Sequence, residues 1–318
     1  MEDYTRLIFV LTDLVAPLVI GYILHQKGII NEKLIDRLVQ INIIGLATFL
    51  SLLSFWVMPL SPALLILPFF GILYVLVPGI FGLLFSRRFH SPLDRGAYTM
   101  SAMLGNLGTL GGVCAFILFS ETGFAYTQII VTFQNMLLVI LCFPLAHYFE
   151  MKQVSKSSGL HIHFSFKEMF LTKNQLALVG MFAGLVLDIG GIPRPAVFAD
   201  VFQVFVHAGA WIAMLPVGCL IDFSRARHFY KSVLSLIPLR FLLTPAVIYL
   251  LAWVFFDDPV LLTSMLVLAT APTAINAVLT CRIYKLNVDM AVASFLSTTA
   301  IYLAAIFPLI FVWAKLQS

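Results

Sequence analysis

The chain has 318 residues, of which 61% are hydrophobic and only 11% are charged, and its formal net charge is +4. Its apolar runs are far longer than a soluble core helix needs, which excludes a soluble domain and places nearly the whole chain in lipid. The basic residues are dispersed over several segments, so no nucleic-acid partner is expected.

A helix needs about 20 apolar residues to cross a bilayer, and on this basis the sequence predicts an all-α polytopic membrane protein with ten transmembrane helices. The predicted spans are residues 6–24, 34–56, 63–85, 97–119, 124–148, 174–191, 196–221, 232–256, 260–281 and 289–314. The start of the chain lacks the basic region and cleavage site of a signal peptide, so we expect the first span to be retained. The four cysteines fall in or beside apolar segments without a CxxC pair, so we expect neither a disulfide nor a metal site.

Two pairs of sequence landmarks recur at nearly the same spacing. Residues 21–29 align without a gap on residues 184–192 at an offset of 163, and the Phe-Pro-Leu of residues 143–145 recurs at residues 307–309 at an offset of 164. Internal repeats in a polytopic membrane protein are typical of alternating-access transporters. Because each copy holds an odd number of spans, we expect the two copies to be inverted relative to each other.

The repeat divides the chain into three parts. We expect residues 1–150 to form a first five-helix repeat, residues 151–173 a short cytoplasmic linker, and residues 174–318 a second, inverted five-helix repeat. Fifteen of the nineteen Lys and Arg residues lie in the loops that follow spans 1, 3, 5, 7 and 9 or, in the case of Arg37, within four residues of such a loop. The positive-inside rule therefore places these loops in the cytoplasm and both termini on the opposite side of the membrane.

Helix breakers recur inside the fourth and ninth predicted spans. Residues 105–112 hold four glycines, each of which weakens a helix by about 1 kcal/mol relative to alanine. The equivalent window, residues 268–275, holds Pro272, which costs about 3 kcal/mol in a regular helix. Irregular backbone at this depth must be surrounded by protein or by a water-filled cavity, so the sequence predicts that broken helices 4 and 9 cross at the membrane midplane. The GxxxG spacing of Gly108 and Gly112 also fits close helix packing alone, and that alternative stays open.

The predicted crossing is a candidate anion site. The half-helices that restart after each break would present their N–H groups and the positive ends of their dipoles to a carboxylate. The candidate substrate-binding residues are Gly105, Asn106, Gly108, Thr109, Pro272, Thr273 and Asn276 in the two breaks, together with Gln134 and Asn135 of span 5. No cofactor is expected.

Two ionisable residues inside the spans are candidates for coupling or for contact with the charge of the substrate, because a charge in lipid is costly. Asp13 would bind a proton or Na⁺, or would instead face water or a partner near the outer surface. Arg240 would reach the midplane, or would instead extend toward the cytoplasmic side. His207 is more typical of a histidine that is hydrogen-bonded between helices.

Three parts of the chain carry a family resemblance. They are residues 105–111, residues 270–277 with the segments 286–289 and 307–309 that follow, and residues 184–220. These stretches resemble the auxin efflux carrier family, which includes bacterial dicarboxylate carriers and the plant PIN proteins. The resemblance covers essentially the whole chain.

The resemblance implies ten helices in two inverted repeats, a scaffold domain, a crossing-helix transport domain and a homodimer. It also implies elevator-type transport of organic anions. Carried over residue by residue, the crossing site of the family falls on Asn106 with its neighbouring glycines, and on Pro272 and Asn276.

The sequence thus predicts a secondary active or facilitative transporter of small organic anions (carboxylates), with H⁺ or Na⁺ as candidate coupling ions. Two alternatives stay open: a Na⁺-coupled bile-acid-type symporter, and a membrane receptor that binds a ligand without transport. The sequence holds no HExxH, Walker A or serine-elbow motif, so an enzyme is not expected. The short linker suits a protein of the bacterial inner membrane.

We predict that a cysteine introduced at Ser318 reacts with a membrane-impermeant thiol reagent added from the periplasmic side, and that a cysteine at Ser157 does not. The reason is the excess of basic residues in the loops on the side of Ser157. Labelling in intact cells measures this difference, and the reverse pattern would show that the predicted orientation is wrong.

Overall fold

The computed structural model describes residues 2–58, 62–154, 176–219 and 226–317, and these residues are predominantly helical. The helices of the first half are α1 (Glu2–Gln26), α2 (Glu32–Gln40), α3 (Ala47–Phe55), α4 (Leu67–Ser86), α5 (Pro92–Met103), α6 (Gly112–Leu137) and α7 (Phe143–Val154). Those of the second half are α8 (Leu176–Ile189), α9 (Val197–Cys219), α10 (Tyr230–Val233), α11 (Leu236–Pro238), α12 (Thr244–Phe255), α13 (Pro259–Ala269), α14 (Ile275–Ile283), α15 (Val288–Ile301) and α16 (Phe307–Gln317).

Among the described residues, five helical runs are long and apolar enough to cross a membrane, as expected for an all-α membrane protein. They are Leu67–Ser86, Leu107–Gln153, Val197–Pro216, Leu236–Phe255 and Val288–Ala314. Three shorter apolar helices cover Val15–Gln26, Val179–Ile189 and Pro259–Ala269. Of the predicted linker, residues 151–154 continue α7, and the remainder lies outside the described residues.

The longest of these runs turns sharply inside α6. Phe119 and Ser120 leave the helical conformation, and Ser120 has a φ of 53°. An added Cβ at Gly123 would lie only 2.5 Å from the carbonyl oxygen of Ala115, eight residues earlier. The chain therefore folds back on itself here, between the predicted fourth and fifth spans.

The aligned segments 21–29 and 184–192 end their helices in the same way. α1 and α8 are each followed by a glycine in the left-handed region, Gly28 with φ of 68° and Gly191 with φ of 66°. In both turns the glycine N–H donates to the carbonyl oxygen three residues earlier, and the next N–H donates to the carbonyl oxygen five residues earlier. This pattern is a Schellman motif, in which glycine is favoured because it has no Cβ.

Three prolines deform the helices that contain them. A proline ring clashes with the carbonyl group four residues before it, which disturbs the regular α-helical ladder. Pro144, Pro245 and Pro308 each follow a π-helical segment, respectively Leu138–Cys142, Leu239–Leu243 and Tyr302–Ile306. The first and third of these segments recur at the 164-residue offset of the two Phe-Pro-Leu sequences.

The helices pack in two groups. In the first group, α1 lies along α9, α3 lies along α8, and α2 contacts α9. In the second group, which contains the remaining helices, α4 packs on α5 and α6, and α5 also packs on α7, α14 and α15. The groups meet mainly where α6 touches α3 and α1.

Glycines bring the backbones of the first group into direct contact. An added Cβ at Gly21 of α1 would lie 2.1 Å from the carbonyl oxygen of Leu215 on α9. At Gly180 of α8, it would lie 2.1 Å from the carbonyl oxygen of Thr48 on α3. Small residues at membrane helix interfaces permit this close approach.

We predict that Gly21→Ala and Gly180→Ala each destabilise the protein by about 1 to 3 kcal/mol, the usual cost of overpacking. The added methyl group meets a backbone oxygen, which cannot move away as a flexible side chain can. Unfolding of the detergent-solubilised protein measures the effect. Gly45→Ala is the matched control, because its Cβ meets nothing within 4 Å. Equal stability of all three variants would contradict the close packing.

Candidate functional site

Two interrupted helices meet through their backbones. α5 ends at Met103 and helical structure resumes at Leu107, while α13 ends at Ala269 and α14 begins at Ile275. We call the residues between them, 104–106 and 270–274, the crossing.

Within the crossing the two chain stretches pair as a short antiparallel bridge between Gly105 and Thr273. The N–H of Asn106 donates to the carbonyl oxygen of Pro272, and the N–H of Ala274 donates to that of Leu104, both at 2.8 Å. Each break thus satisfies backbone groups that the other break has freed.

Side chains from neighbouring helices fix the bridge in place. Gln134 Nε2 donates to the carbonyl oxygen of Gly105 at 2.8 Å. The hydroxyl of Thr273 donates to the carbonyl oxygen of Ser101 at 2.9 Å, and the N–H of Thr273 donates to Thr298 Oγ1 at 3.0 Å. The crossing is therefore tied to α5, α6 and α15 by side-chain hydrogen bonds.

The guanidinium of Arg240 reaches the crossing from the π-helical segment Leu239–Leu243 and is 1% exposed. Its Nη2 donates to the carbonyl oxygen of Ser101 at 3.3 Å and its Nη1 to that of Ala271 at 3.4 Å, both long hydrogen bonds. These carbonyl groups belong to the C-terminal ends of α5 and α13, which carry the negative ends of the helix dipoles. None of the ion pairs in the described ranges includes Arg240.

The second half-helices begin without a side-chain cap. Asn106 and Ala274 occupy the N-cap positions, and neither side chain caps its helix. The Nδ2 of Asn106 is buried and has no hydrogen-bond partner among the described atoms. The first-turn residues 108–109 and 275–276 are half-buried, so these two helix starts are more accessible than the bridge itself.

The two sides of the crossing therefore differ in charge. The negative helix ends are buried, and Arg240 lies against them. The positive helix ends are partly accessible and have N–H groups without helical partners. Such an arrangement offers hydrogen-bond donors to an anion, and the unpartnered amide of Asn106 adds one more.

Most of the predicted binding residues lie together. Gly105, Asn106, Pro272 and Thr273 belong to the crossing, Gln134 is hydrogen-bonded to it, and Gly108, Thr109 and Asn276 lie in the first turns that follow it. Asn135 is half-buried and does not hydrogen-bond to the described residues of the crossing. The binding role of these residues stays a prediction.

The two candidate coupling residues lie in different places. Arg240 is in the crossing, whereas Asp13 is buried between α1 and α9. One carboxylate oxygen of Asp13 accepts a hydrogen bond from Trp211 Nε1 at 3.0 Å, and the other contacts His207 Nδ1. Both partners of Asp13 lie on α9, so this carboxylate joins two helices of the first group. His207 is hydrogen-bonded between helices, as the sequence predicts.

A cavity of about 760 Å³ lies between α1 and α15. Val15 and Tyr22 line it on one side, and Phe295 and Leu303 line it on the other. Its surface is almost entirely apolar, although Tyr22, Tyr230, Ser297 and Thr299 contribute to the lining, so few polar groups there could orient an anion.

Sequence reasoning did not single out Ser101 or Ala271, because both contribute backbone carbonyl groups rather than side chains. Thr298 does carry a signal, since it belongs to a polar stripe on the last span with Ser294 and Ser297. Within the described residues no group of His, Cys, Asp and Glu side chains is arranged to hold a metal ion.

Comparison of the chain with protein-family models and with curated proteins gave no match.

We predict that Gly105→Ala destabilises the protein by about 0.5 to 1.5 kcal/mol, the net contribution of a hydrogen bond, because the new Cβ would lie 2.7 Å from Arg240 Nη1 and the end of this side chain must shift from the carbonyl oxygen of Ala271. Gly108→Ala is the matched control in the same glycine-rich segment. Its Cβ would meet Val131 at an ordinary 3.4 Å, so it should be neutral or stabilising by up to about 1 kcal/mol. Thermal unfolding compares the two variants, and a Gly105→Ala protein as stable as the control would place Arg240 elsewhere.

Proposed function

We propose that this chain is a transporter of small organic anions, in particular carboxylates, and that it works by elevator-type alternating access. One observation carries the proposal. The accessible side of the crossing presents two helix N-termini without side-chain caps, and the Nδ2 of Asn106 lies buried at one of them without a hydrogen-bond partner among the described atoms, while Arg240 lies against the negative helix ends.

Magnitudes support a carboxylate as the occupant. Removing a carboxylate from water costs several kcal/mol even after the protein relaxes. Each helix end contributes up to about 2 kcal/mol in a partly buried site, and a hydrogen bond to a charged group contributes about 1.5 to 3 kcal/mol. Two helix ends and the Asn106 amide together can therefore offset the desolvation cost.

The proposed architecture is ten spans in two inverted repeats. The Schellman motifs at Gly28 and Gly191 support it, as do the π-helical segments before Pro144 and Pro308, because each pair recurs at a nearly constant offset. The antiparallel bridge is compatible with two copies that face each other about a two-fold axis.

The packing of the helices supports an elevator motion. The first helix group is held by backbone contacts at Gly21 and Gly180, which suits a scaffold that stays fixed. The second group contains the whole crossing and would carry the anion. The groups meet mainly along α6, and α9 also touches the segment Leu107–Gly111, so a motion of one group against the other would occur along this boundary.

We extend the proposal to a bacterial-type member of the auxin efflux carrier family, a homodimer in the inner membrane with both termini outside. Support comes from the two motifs that carry the resemblance, because residues 105–111 and 270–277 both include parts of the crossing. An enzymatic activity forms no part of the proposal.

Reconstitution into proteoliposomes tests the proposal. Uptake of a panel of mono- and dicarboxylates would be measured with and without Na⁺ and with and without a proton gradient. Net flux of at least one carboxylate is the expected result. Binding without flux would favour a receptor, and flux of bile-acid-like anions that depends on Na⁺ would favour the symporter.

We predict that Asn106→Ala and Asn276→Ala each weaken anion binding by about 1.5 to 3 kcal/mol, or roughly ten- to a hundredfold. Each removes a polar group beside a helix N-terminus of the crossing. Equilibrium binding to the purified protein provides the measurement. Asn31→Ala is the control, since Asn31 is exposed and caps α2 in the first helix group. Unchanged affinity in both asparagine variants would mean that the anion binds elsewhere.

A further inference from the structure

Arg240 occupies a position that suits a bound cation. In transporters with broken helices, half-helix C-terminal ends and unwound carbonyl groups coordinate Na⁺ or H⁺. Here the carbonyl oxygens of Ser101 and Ala271, at the C-terminal ends of α5 and α13, face the guanidinium at 3.3 and 3.4 Å. The chain itself therefore supplies the positive charge at these helix ends, through the guanidinium of Arg240.

The surroundings leave room for the guanidinium, and two of its three nitrogens are hydrogen-bonded, whereas its Nε is buried without a partner among the described residues. A Cβ at Gly105 would lie 2.7 Å from Nη1, so the missing side chain of this glycine makes room for the group. The carbonyl oxygen of Ser101 also accepts a hydrogen bond from Thr273 Oγ1 at 2.9 Å. Two donors therefore share the two lone pairs of this oxygen, and a metal ion would have to displace one of them.

Among the described residues, the structure supports neither of two other roles for the charge of Arg240. The side chain is 1% exposed, so it does not extend to water at the cytoplasmic side. No carboxylate in the described part of the chain forms an ion pair with it. An unpaired buried charge is costly and is retained only where its surroundings compensate it, and the two helix ends are the compensating groups in contact with it.

We infer that Arg240 is a resident cation that takes the place of a coupling metal ion at the crossing, so that the anion is bound and moved without Na⁺. The part of this inference that concerns transport rests on the proposed function. The part that concerns the carbonyl site does not, and it can be tested on purified protein without any substrate.

The first experiment compares thermal unfolding in sodium chloride and in choline chloride of equal concentration. Wild-type protein and Arg240→Lys should unfold at the same temperature in both salts, because each carries its own cation. Arg240→Ala leaves the helix ends without a charge but with room for a small cation. Its unfolding temperature should fall, and low-millimolar guanidinium chloride should partly restore it. Arg240→Met fills the space without a charge, so guanidinium should not restore this variant.

Two results would overturn the inference. One is a wild-type protein that Na⁺ stabilises relative to choline. The other is an Arg240→Ala protein that unfolds like wild type and does not respond to guanidinium. If Arg240→Ala does not fold, the wild-type salt comparison and Arg240→Lys still decide the outcome.

The second experiment measures carboxylate uptake into proteoliposomes in matched Na⁺ and choline media. Wild-type uptake should be equal in both media, and Arg240→Ala should lose about tenfold or more, with recovery in guanidinium. Uptake that requires Na⁺ would refute the resident cation while leaving the transport proposal intact. Uptake of no carboxylate in either medium would refute the transport proposal, and the unfolding comparison would still decide the role of Arg240.

Discussion

Two backbone hydrogen bonds, from Asn106 to Pro272 and from Ala274 to Leu104, make the interruption of both helices possible. Inside a membrane, a helix that breaks exposes N–H and carbonyl groups that have no water to bind. When two breaks lie side by side, each supplies the partners that the other needs. The other features of the site follow, because the paired breaks place four helix ends within one small volume.

The negative and positive ends of the helix dipoles lie on different sides of the crossing. The two C-terminal ends are covered by Arg240 and buried, whereas the two N-terminal ends are uncapped and partly accessible. A site for an anion can therefore be built mostly from backbone, with a single amide side chain in support. This explains why the crossing needs few charged residues in its sequence.

More of the fold than of the site could be predicted from the sequence. Hydropathy indicates an all-α membrane protein, and the aligned glycines and Phe-Pro-Leu sequences mark local structures that recur, because a left-handed glycine and a helix-deforming proline act within one or two turns. The breaks are less well predicted. The glycine-rich window begins at Gly105, yet helical structure resumes at Leu107, since glycine weakens a helix without forbidding it.

Contacts that depend on tertiary structure could not be predicted in this way. The offset of 163 pairs residue 105 with residue 268, but in the bridge Leu104 and Pro272 play equivalent parts, a spacing of 168. The sequence does not decide whether Arg240 lies at the midplane or extends toward the cytoplasmic side, because one cation on an apolar helix fits both positions. Only the packing of that helix against the ends of α5 and α13 decides its position.

Because Arg240 carries its charge inside the crossing, the net charge that moves with the crossing depends on whether an anion is bound. In the proposed elevator, the empty crossing carries the one positive charge of Arg240, and the crossing that holds a singly charged carboxylate carries no net charge. Membrane potential does work of about 2.3 kcal/mol per elementary charge per 100 mV. The membrane potential would therefore act on the return of the empty crossing, whereas the movement of the crossing with a bound anion would be independent of the potential.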